Sequence, residues 1–451
     1  MATEVNASPD DPRDPVSRRN FLKTSAVAVA ATWVGGCATT GATRAGPGIL
    51  HAEHKYERIR LGVIGCGGRG TDAAIDCVRS SPGVEIVALG DLFKDHLDES
   101  RKMLTEPEDE KLADVPEKVH LTDDRCFVGF DAYQQVLALS EVDMVILATP
   151  PGFRPLHLRA AVDAGKHIFM EKPVAVDPIG VRSVIESADA AARKGLAIVS
   201  GTQRRHEPGY LATMQRIHDG AIGDIVGGQC YWNQGELWVK DRQPDWSDME
   251  WQVRNWLYFT WLSGDHIVEQ HVHNIDVINW AIGSPPVKAV GLGGRQVRTD
   301  PKFGNIYDHF AVEYEYANGV RVLSLCRQIP GTSERVSERL VGTHGVADPS
   351  GWITGRRPFK FETKGEAVNP YVQEHTDLVA SIRRGKPLNE GRRIAESTLT
   401  AIMGRISAYT GREIQWPWVR QASQLDLTPP KYEFCDLPVD PVATPGETKL
   451  V

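Results

Sequence analysis

The sequence predicts an α/β protein with an N-terminal doubly wound parallel sheet and a C-terminal α/β domain built on a large, open, mostly antiparallel sheet. Between residues 59 and 170, short apolar runs alternate with helical stretches, an order that is typical of a parallel sheet. After Pro173 the apolar runs become longer, and residues 317–319 read Ala-Asn-Gly, which indicates a tight hairpin between antiparallel strands. At 451 residues, the chain is too long for one ordinary domain and long enough for two buried cores.

The first domain is predicted to cover residues 57–175. Each of its strands is indicated by a short apolar run with polar or turn-forming residues on both sides. The predicted strands occupy residues 59–65, 84–89, 119–121, 144–148 and 168–170. The predicted helices occupy residues 70–80, 131–139 and 154–164, and the charged segment 94–118 is interpreted as a surface helix with a loop.

The second domain is predicted to cover residues 176–426. Its predicted elements are a helix over residues 179–193, a short strand over 197–200, and longer strands over 226–232, 287–291, 310–316 and 321–327. A helix over residues 392–410 is expected to pack back on the first domain. Residues 427–451 are proline-rich, which predicts a tail that runs extended over the surface.

The N-terminus carries the pattern of an export signal. Residues 17–23 read Ser-Arg-Arg-Asn-Phe-Leu-Lys and precede a mildly apolar run over residues 24–34. This combination is typical of a twin-arginine signal, and the run is far too short for a membrane-spanning helix. We therefore assign residues 1–37 to the signal and exclude them from the fold.

Two interpretations of the end of the signal stay open. Residues 34–37 resemble a lipoprotein cleavage box, which predicts a lipid on Cys37, whereas the small residues beyond it also suit ordinary cleavage. Residues 38–56 then form a flexible leader. We expect a periplasmic protein that meets the twin-arginine translocase and contacts the membrane only through the signal or the lipid.

Composition and charge exclude several classes of protein. The chain is 41% hydrophobic and 24% charged, as in soluble globular proteins. Its formal net charge of −8 argues against a broad nucleic-acid surface. The cysteines form no CxxC pair or short-spaced framework, so neither a disulfide scaffold nor a zinc site is indicated.

A dinucleotide-binding fingerprint follows the first predicted strand. Residues 65–70 read Gly-Cys-Gly-Gly-Arg-Gly and open a helix, and Asp91 stands about 20 residues further on. Glycines let the backbone approach a pyrophosphate at the helix N-terminus, and the aspartate accepts hydrogen bonds from the adenosine ribose. Because a carboxylate repels a 2′-phosphate, the pattern favours NAD over NADP.

Two further motifs indicate catalytic groups. Residues 171–173 read Glu-Lys-Pro at the end of a predicted strand, where ligands bind in open α/β sheets, so Lys172 could contact a substrate hydroxyl. On a helix predicted from residue 263, Glu269, His273 and Asp276 fall on one face, and a carboxylate one turn before a histidine favours a general base. A core histidine is the second interpretation of this segment. A metal site ranks third and is not predicted, because His271 and His273 lie about 200° apart around a helix.

The order of these motifs resembles the Gfo/Idh/MocA family over roughly residues 58–409. The resemblance rests on the glycine turn with its aspartate, a Thr-Pro strand end followed by a histidine, the Glu-Lys-Pro tripeptide, residues 220–223, and the Glu269/His273 pair. It implies a Rossmann domain, a substrate- and cofactor-contacting Lys172, and His273 as the catalytic acid/base. Inositol-dehydrogenase-like members carry aspartate where this chain has Glu269. The implied cofactor-binding residues are Gly65, Gly67, Gly68, Arg69, Gly70, Asp91, Thr149, Pro150, His157, Glu171 and Lys172.

The resemblance also implies a function and a substrate class. We expect an oxidoreductase that moves hydride between a tightly bound NAD and a hydroxyl of a sugar, cyclitol or glycoside. An NAD-dependent redox-neutral glycosidase or epimerase is the alternative, and a non-catalytic sugar-binding protein is a third hypothesis. The candidate substrate residues are Arg205, Asp276, Tyr307 and Asp308.

Tryptophans concentrate beside the proposed site, since seven of the eleven lie between residues 232 and 280. Indole faces stack on sugar rings, which would suit a carbohydrate pocket. Equally, they could pack the open sheet in an oligomer interface. A homodimer or homotetramer is expected, because open sheets of this kind commonly pair face to face.

Overall fold

The computed structural model describes residues 57–363 and 365–451. The export signal, its candidate lipid site Cys37 and the leader up to residue 56 lie outside the described residues. Within the described part of the chain, no helix is long and apolar enough to cross a membrane.

The first sheet is parallel and has six strands in the order β3-β2-β1-β4-β5-β6. Its strands are β1 (Ile59–Ile64), β2 (Val84–Asp91), β3 (Cys126–Val128), β4 (Met144–Leu147), β5 (His167–Met170) and β6 (Ile198–Ser200). They alternate with helices α1 (Gly68–Ser80), α2 (Lys94–Thr105), α3 (Ala132–Ala138), α4 (Arg154–Asp163) and α5 (Pro178–Lys194). The strand order reverses between β1 and β4, which opens a crevice at their carboxyl ends.

Two details of this sheet differ from the sequence prediction. The third strand is β3 rather than residues 119–121, where Val119 forms only an isolated bridge with Ile86. Strand β6 pairs in parallel with β5, so the first sheet continues past residue 175, where the sequence analysis ended the domain.

The second sheet has nine strands in the order β14-β13-β12-β11-β7-β10-β9-β8-β15, and only β7 and β10 pair in parallel. The strands are β7 (Ile225–Gln234), β8 (Lys288–Gly294), β9 (His309–Glu315), β10 (Arg321–Gln328), β11 (Arg335–Gly342), β12 (Gly345–Asp348), β13 (Trp352–Gly355), β14 (Phe359–Lys360) and β15 (Ile414–Gln415). The helices of this part are α6 (Pro208–His218), α7 (Asp248–Arg254), α8 (Thr260–Ser263), α9 (His266–Glu269), α10 (Val272–Ile282), α11 (Pro370–Arg383), α12 (Gly391–Thr410) and α13 (Trp416–Gln421). The predicted fold class, a parallel doubly wound sheet followed by a large, mostly antiparallel one, is confirmed.

Helix α12 connects the two sheets. It is buried along most of its length and packs on both α5 and β8. The approach to β8 is close: a Cβ on Gly291 would lie 2.8 Å from the carbonyl oxygen of Gly404 and 2.9 Å from the amide nitrogen of Ala408. Only glycine fits there, and the contact places α9 and α10 beside the carboxyl edge of the first sheet.

Candidate active site

The glycine turn has the shape that a dinucleotide requires. Gly65 has φ 95°, and a Cβ there would lie 2.5 Å from the amide nitrogen of Thr149, while a Cβ on Gly70 would collide with the carbonyl oxygen of Gly65. Around Gly67 and Gly68, by contrast, no atom lies within 4 Å of the Cβ position. A tightly packed turn with an open face at the N-terminus of α1 fits a pyrophosphate.

Asp91 ends β2 beside this turn. Its Oδ2 accepts a hydrogen bond from the amide of Cys66 at 2.6 Å, and its Oδ1 accepts one from the amide of Phe93 at 2.8 Å. Each oxygen keeps acceptor capacity toward a ribose, because a carboxylate offers about four lone-pair sites. Hydrogen bonding to Asp91 raises the pKa of His96, a neighbour on α2 that the sequence analysis did not single out.

A pocket extends from the turn between the first domain and helix α7. Its wall is rich in flat rings, which suit the adenine end of a dinucleotide. Among the lining residues that the motifs did not assign to the cofactor are Phe93, His96, Phe130, Tyr133, Phe153, Val253 and Trp256. They lie on α2, α3 and α7 and in the turns between elements, scattered through the chain, so no local pattern signals them.

His157 and Thr149 close the inner end of the same pocket. The Thr149 hydroxyl lies 3.1 Å from Nδ1 of His157, whose ring stacks on Tyr133 at a centroid distance of 4.3 Å. Burial and the neighbouring Arg154 lower the pKa of His157 to about 3, so its imidazole is neutral at pH 7. Pro150 lines the pocket beside them.

The glycine turn is tied to the end of β5 by an ion pair. Nε of Arg69 lies 2.6 Å from Oε1 of Glu171. Below it, the buried Arg154 donates to the carbonyl oxygens of Glu171 at 3.2 Å and of Thr149 at 2.6 Å. These bonds hold the carboxyl ends of β4 and β5 in register where Lys172 follows.

Lys172 reaches across to α9. Its Nζ donates to Oε1 of Glu269 at 3.0 Å and to the carbonyl oxygen of the same residue at 2.8 Å. Both side chains are largely buried, with 13% and 8% of their surface exposed. The ammonium is thereby held in one place at the mouth of the first sheet.

The expected single helix that carries Glu269, His273 and Asp276 on one face is wrong. Helix α9 ends at Glu269 and α10 begins at Val272, so a turn separates the glutamate from the histidine. In a continuous helix, the carbonyl of Glu269 would accept from the amide of His273. Instead, Nζ of Lys172 donates to that carbonyl oxygen, and the amide of His273 donates to the carbonyl oxygen of Gln270 at 3.4 Å.

His273 is a buried, neutral imidazole. Burial and the positive charges of Lys172, Arg204 and Arg69 lower its pKa well below the ordinary histidine value. Its ring stacks on Trp232 at a centroid distance of 5.6 Å. An uncharged ring beside a fixed ammonium can accept a proton at neutral pH.

Arg204 rather than Arg205 lies near this histidine. Its guanidinium sits 5.6 Å from the ring of Trp232 and pairs with the buried Glu338 at 2.5 Å. The sequence signal, two adjacent arginines, did not distinguish between them.

The four candidate substrate residues occupy structural positions. Asp276 and Arg205 form an ion pair of 2.7 Å. The hydroxyl of Tyr307 donates to the carbonyl of Ala443 at 2.8 Å, and Asp308 accepts from three consecutive backbone amides that begin at residue 296. In the described residues, no hydrogen bond or ion pair joins these four side chains to the Lys172 site.

Most of the seven clustered tryptophans pack in an apolar cluster rather than beside Lys172 and His273. Trp246, Trp251, Trp256 and Trp261 join an apolar cluster with Phe93 beside the cofactor pocket. Trp232 is the member of the set that stacks on His273.

Comparison with known protein families agrees with this geometry. Residues 59–201 match the model described as "Oxidoreductase family, NAD-binding Rossmann fold", and residues 210–348 match the GFO/IDH/MocA C-terminal domain. Residues 15–33 match the twin-arginine translocation signal. The protein therefore has an NAD-binding Rossmann domain and a signal that indicates export.

Individual relatives are distant. A glycosyl hydrolase family 109 protein of Shewanella amazonensis is 24% identical over 328 residues, which are 70% of this chain and 67% of the relative. Inositol 2-dehydrogenase of Paracoccus denitrificans is 24% identical over 72% of this chain and 87% of its own length. Further family 109 proteins match over less than half of their length.

Among solved structures, scyllo-inositol dehydrogenase of Lactobacillus casei with bound NAD(H) and scyllo-inositol has a TM-score of 0.60 at 17% identity, covering 80% of this chain and 99% of that one. That likeness supports the fold. Because two adjoining family models together span most of the chain and match both sheets described above, the protein belongs to the Gfo/Idh/MocA family of NAD-binding oxidoreductases.

Proposed function

We propose that the protein is an NAD-dependent oxidoreductase that moves a hydride between a tightly bound nicotinamide and a CH–OH carbon of a sugar, cyclitol or glycoside. The observation that carries the proposal is the fixed ammonium of Lys172 beside the neutral imidazole of His273. Both lie at the carboxyl edge of the sheet that holds the glycine turn.

His273 and Lys172 have different roles in the proposed removal of the substrate's hydroxyl proton. His273 takes the proton from the substrate hydroxyl, and Lys172 stabilises the negative charge that develops on that oxygen. Glu269 holds Lys172 at its position through two hydrogen bonds. A nicotinamide bound at this edge would supply the hydride acceptor.

A polyol substrate is supported by two features. The face of Trp232 lies beside His273 and could carry the C–H surface of a ring. In addition, the relatives include proteins named for inositol oxidation.

A redox-neutral glycosidase or epimerase is the second candidate, and the similarity to glycosyl hydrolase family 109 proteins favours it. In the glycosidase cycle a ring carbon would give its hydride to the bound nicotinamide, the neighbouring carbon would lose a proton as the aglycone leaves the carbon beyond it, water would add across the resulting double bond, and the hydride would return to the first carbon. The twin-arginine signal favours this cycle as well, because a cofactor carried out with the folded protein leaves the cytoplasmic pool. Periplasmic location, lipidation of Cys37 and assembly into a homodimer or homotetramer belong to the same proposal.

One experiment separates the candidates. The purified protein is denatured, the released NAD(H) is quantified, and native protein is then given polyols and aryl glycosides without added cofactor. Reduced nicotinamide that stops at one equivalent supports the dehydrogenase, and many turnovers of released aglycone support the glycosidase. Protein that neither contains nor binds NAD contradicts both and leaves a non-catalytic sugar-binding protein.

A further inference from the structure

The C-terminal tail crosses the aromatic side of the cofactor pocket. We call residues 427–437 the strap. The ring of Phe434 lies 5.1 Å from that of Phe130 and 5.9 Å from that of Phe93, and Tyr432 lies 5.5 Å from Phe153. All three partners line the pocket, so the two strap rings form a second layer behind its wall.

The strap is fastened at both ends to different parts of the fold. At its start, the amide of Leu427 donates to Oδ2 of Asp177, the residue that caps α5, at 2.8 Å. At its far end, the carbonyl of Cys435 accepts from the amide of Met249 on α7 at 3.1 Å. The amide of Leu437 donates at 3.1 Å to the carboxylate that begins the same helix.

The two anchors join the strap to the two parts of the chain that line the pocket. Asp177 caps the helix that follows β5 of the first sheet, whereas Met249 belongs to α7, which with the turn after it contributes Val253 and Trp256 to the lining. The same two parts are held together by Arg254, which pairs with Asp95 at 2.8 Å and lies 3.8 Å above the ring of Phe93. A movement of α7 away from the first domain would therefore widen this side of the pocket.

We propose that the strap is a retention device that keeps the adenine side of the pocket closed and so prevents exchange of the cofactor between turnovers. The proposal rests on the proposed NAD-dependent function and adds a role for the strap. Tyr432 and Phe434 act as positioning residues: they hold the phenylalanine wall rather than taking part in the chemistry.

The test measures cofactor exchange rather than activity. Protein loaded with NAD is mixed with labelled NAD, and uptake of the label is followed by filter binding. The variant Tyr432→Ala/Phe434→Ala should exchange about tenfold faster than the wild type, because two aromatic contacts of typical strength are lost. The single variant Phe434→Ala should show an intermediate exchange rate. Phe434 is 47% exposed, so its loss should cost little folding stability.

The neighbouring residues supply the control. Lys431 and Glu433 lie in the same segment, pair with each other and point to solvent, so Lys431→Ala/Glu433→Ala should exchange at the wild-type rate. Variant and wild-type rates that agree would overturn the strap proposal and leave the proposed function intact. Rapid exchange by the wild type would overturn the strap proposal together with the tight binding of NAD, but not the hydride transfer itself. A wild type that binds no NAD would instead contradict the proposed function.

Discussion

His273 is the residue whose protonation state the proposed chemistry depends on. Its pKa is lowered well below the ordinary value of about 6.5 by burial and by three nearby cations. The imidazole therefore stays neutral as the pH falls through 6.5. We expect the acidic limb of the kcat/KM profile to lie below that pH, since the limb reports loss of the free enzyme's base.

The variant His273→Gln tests the same assignment. It should lower kcat by about 10²- to 10⁴-fold, the usual contribution of a general base, while the bound NAD content stays at the wild-type level. Activity and NAD content are measured on the same preparation. An unchanged kcat, or an acidic limb that stays at its wild-type pH in the variant, would contradict the role of His273.

Asp276 illustrates a residue whose contacts indicate stability rather than substrate binding. It is buried, and ion pairs with Arg205 at 2.7 Å and Arg393 at 3.3 Å lower its pKa to about 2 against burial. Because the folded pKa lies below the ordinary aspartate value of 3.8, this stabilisation is present at pH 7 and is lost as the pH falls from 3.8 toward 2.

The variant Asp276→Asn should lower the free energy of unfolding at pH 7 by about 3–5 kcal/mol, because it removes the carboxylate that pairs with the largely buried Arg205, while Arg393 keeps its ion pair with Glu390. Urea unfolding measures the change. Asp189, which pairs with Arg392 next to Arg393 but is 46% exposed, is the matched control, and Asp189→Asn should cost at most about 1 kcal/mol. A raised KM without loss of stability would restore the substrate role of Asp276.

Among the elements, α12 and β8 approach each other so closely that a side chain between them would not fit. At Gly291, an added Cβ would meet backbone atoms of α12 at 2.8 and 2.9 Å, and backbone cannot rotate away. Gly291→Ala should therefore lower the free energy of unfolding by about 1–3 kcal/mol, the usual cost of overpacking. Gly227→Ala in β7 is the control, since its nearest neighbour would lie at 3.6 Å and little change is expected. Equal unfolding midpoints for the two variants would contradict this account.

The same elements show what the sequence could predict and what it could not. The parallel strands follow from local apolar runs. The glycine turn follows from glycines whose spacing is typical of a dinucleotide-binding turn. The break between α9 and α10 could not be predicted, because it depends on Lys172, which lies 97 residues from Glu269. Strand β11 was missed for another reason: its arginines and glutamate leave no continuous apolar run.

For the site, the sequence indicates where residues lie within their own motif but not which long-range partners they contact. Lys172 follows β5 at the carboxyl edge of the first sheet, as its motif indicates, and its role and that of His273 stay predictions. Whether Asp308 faces a substrate or caps a loop depends on three amides of residues 296–298, and the sequence around it carries no sign of them.

At the scale of the whole molecule, one face of the second sheet exposes large apolar side chains around Glu313, which pairs with Arg321 at 3.3 Å. Val290 and Leu292 on β8 lie on the same face as Leu323 on β10, as the register through β9 requires. Their exposed fractions are 45%, 73% and 40%. Large side chains so exposed on a flat sheet are typical of protein–protein interfaces.

We expect the protein to assemble through this face into a dimer or tetramer. An unpaired charge is costly to bury in an interface, so Leu292→Asp/Leu323→Asp should desolvate two carboxylates and shift the particle toward the monomer. Size-exclusion chromatography with light scattering measures the mass. Val368→Asp, which places the same charge at a residue that is 45% exposed but lies outside the sheet, should leave the oligomer unchanged. A monomeric wild type, or a double variant that keeps the wild-type mass, would show that this face is not the interface.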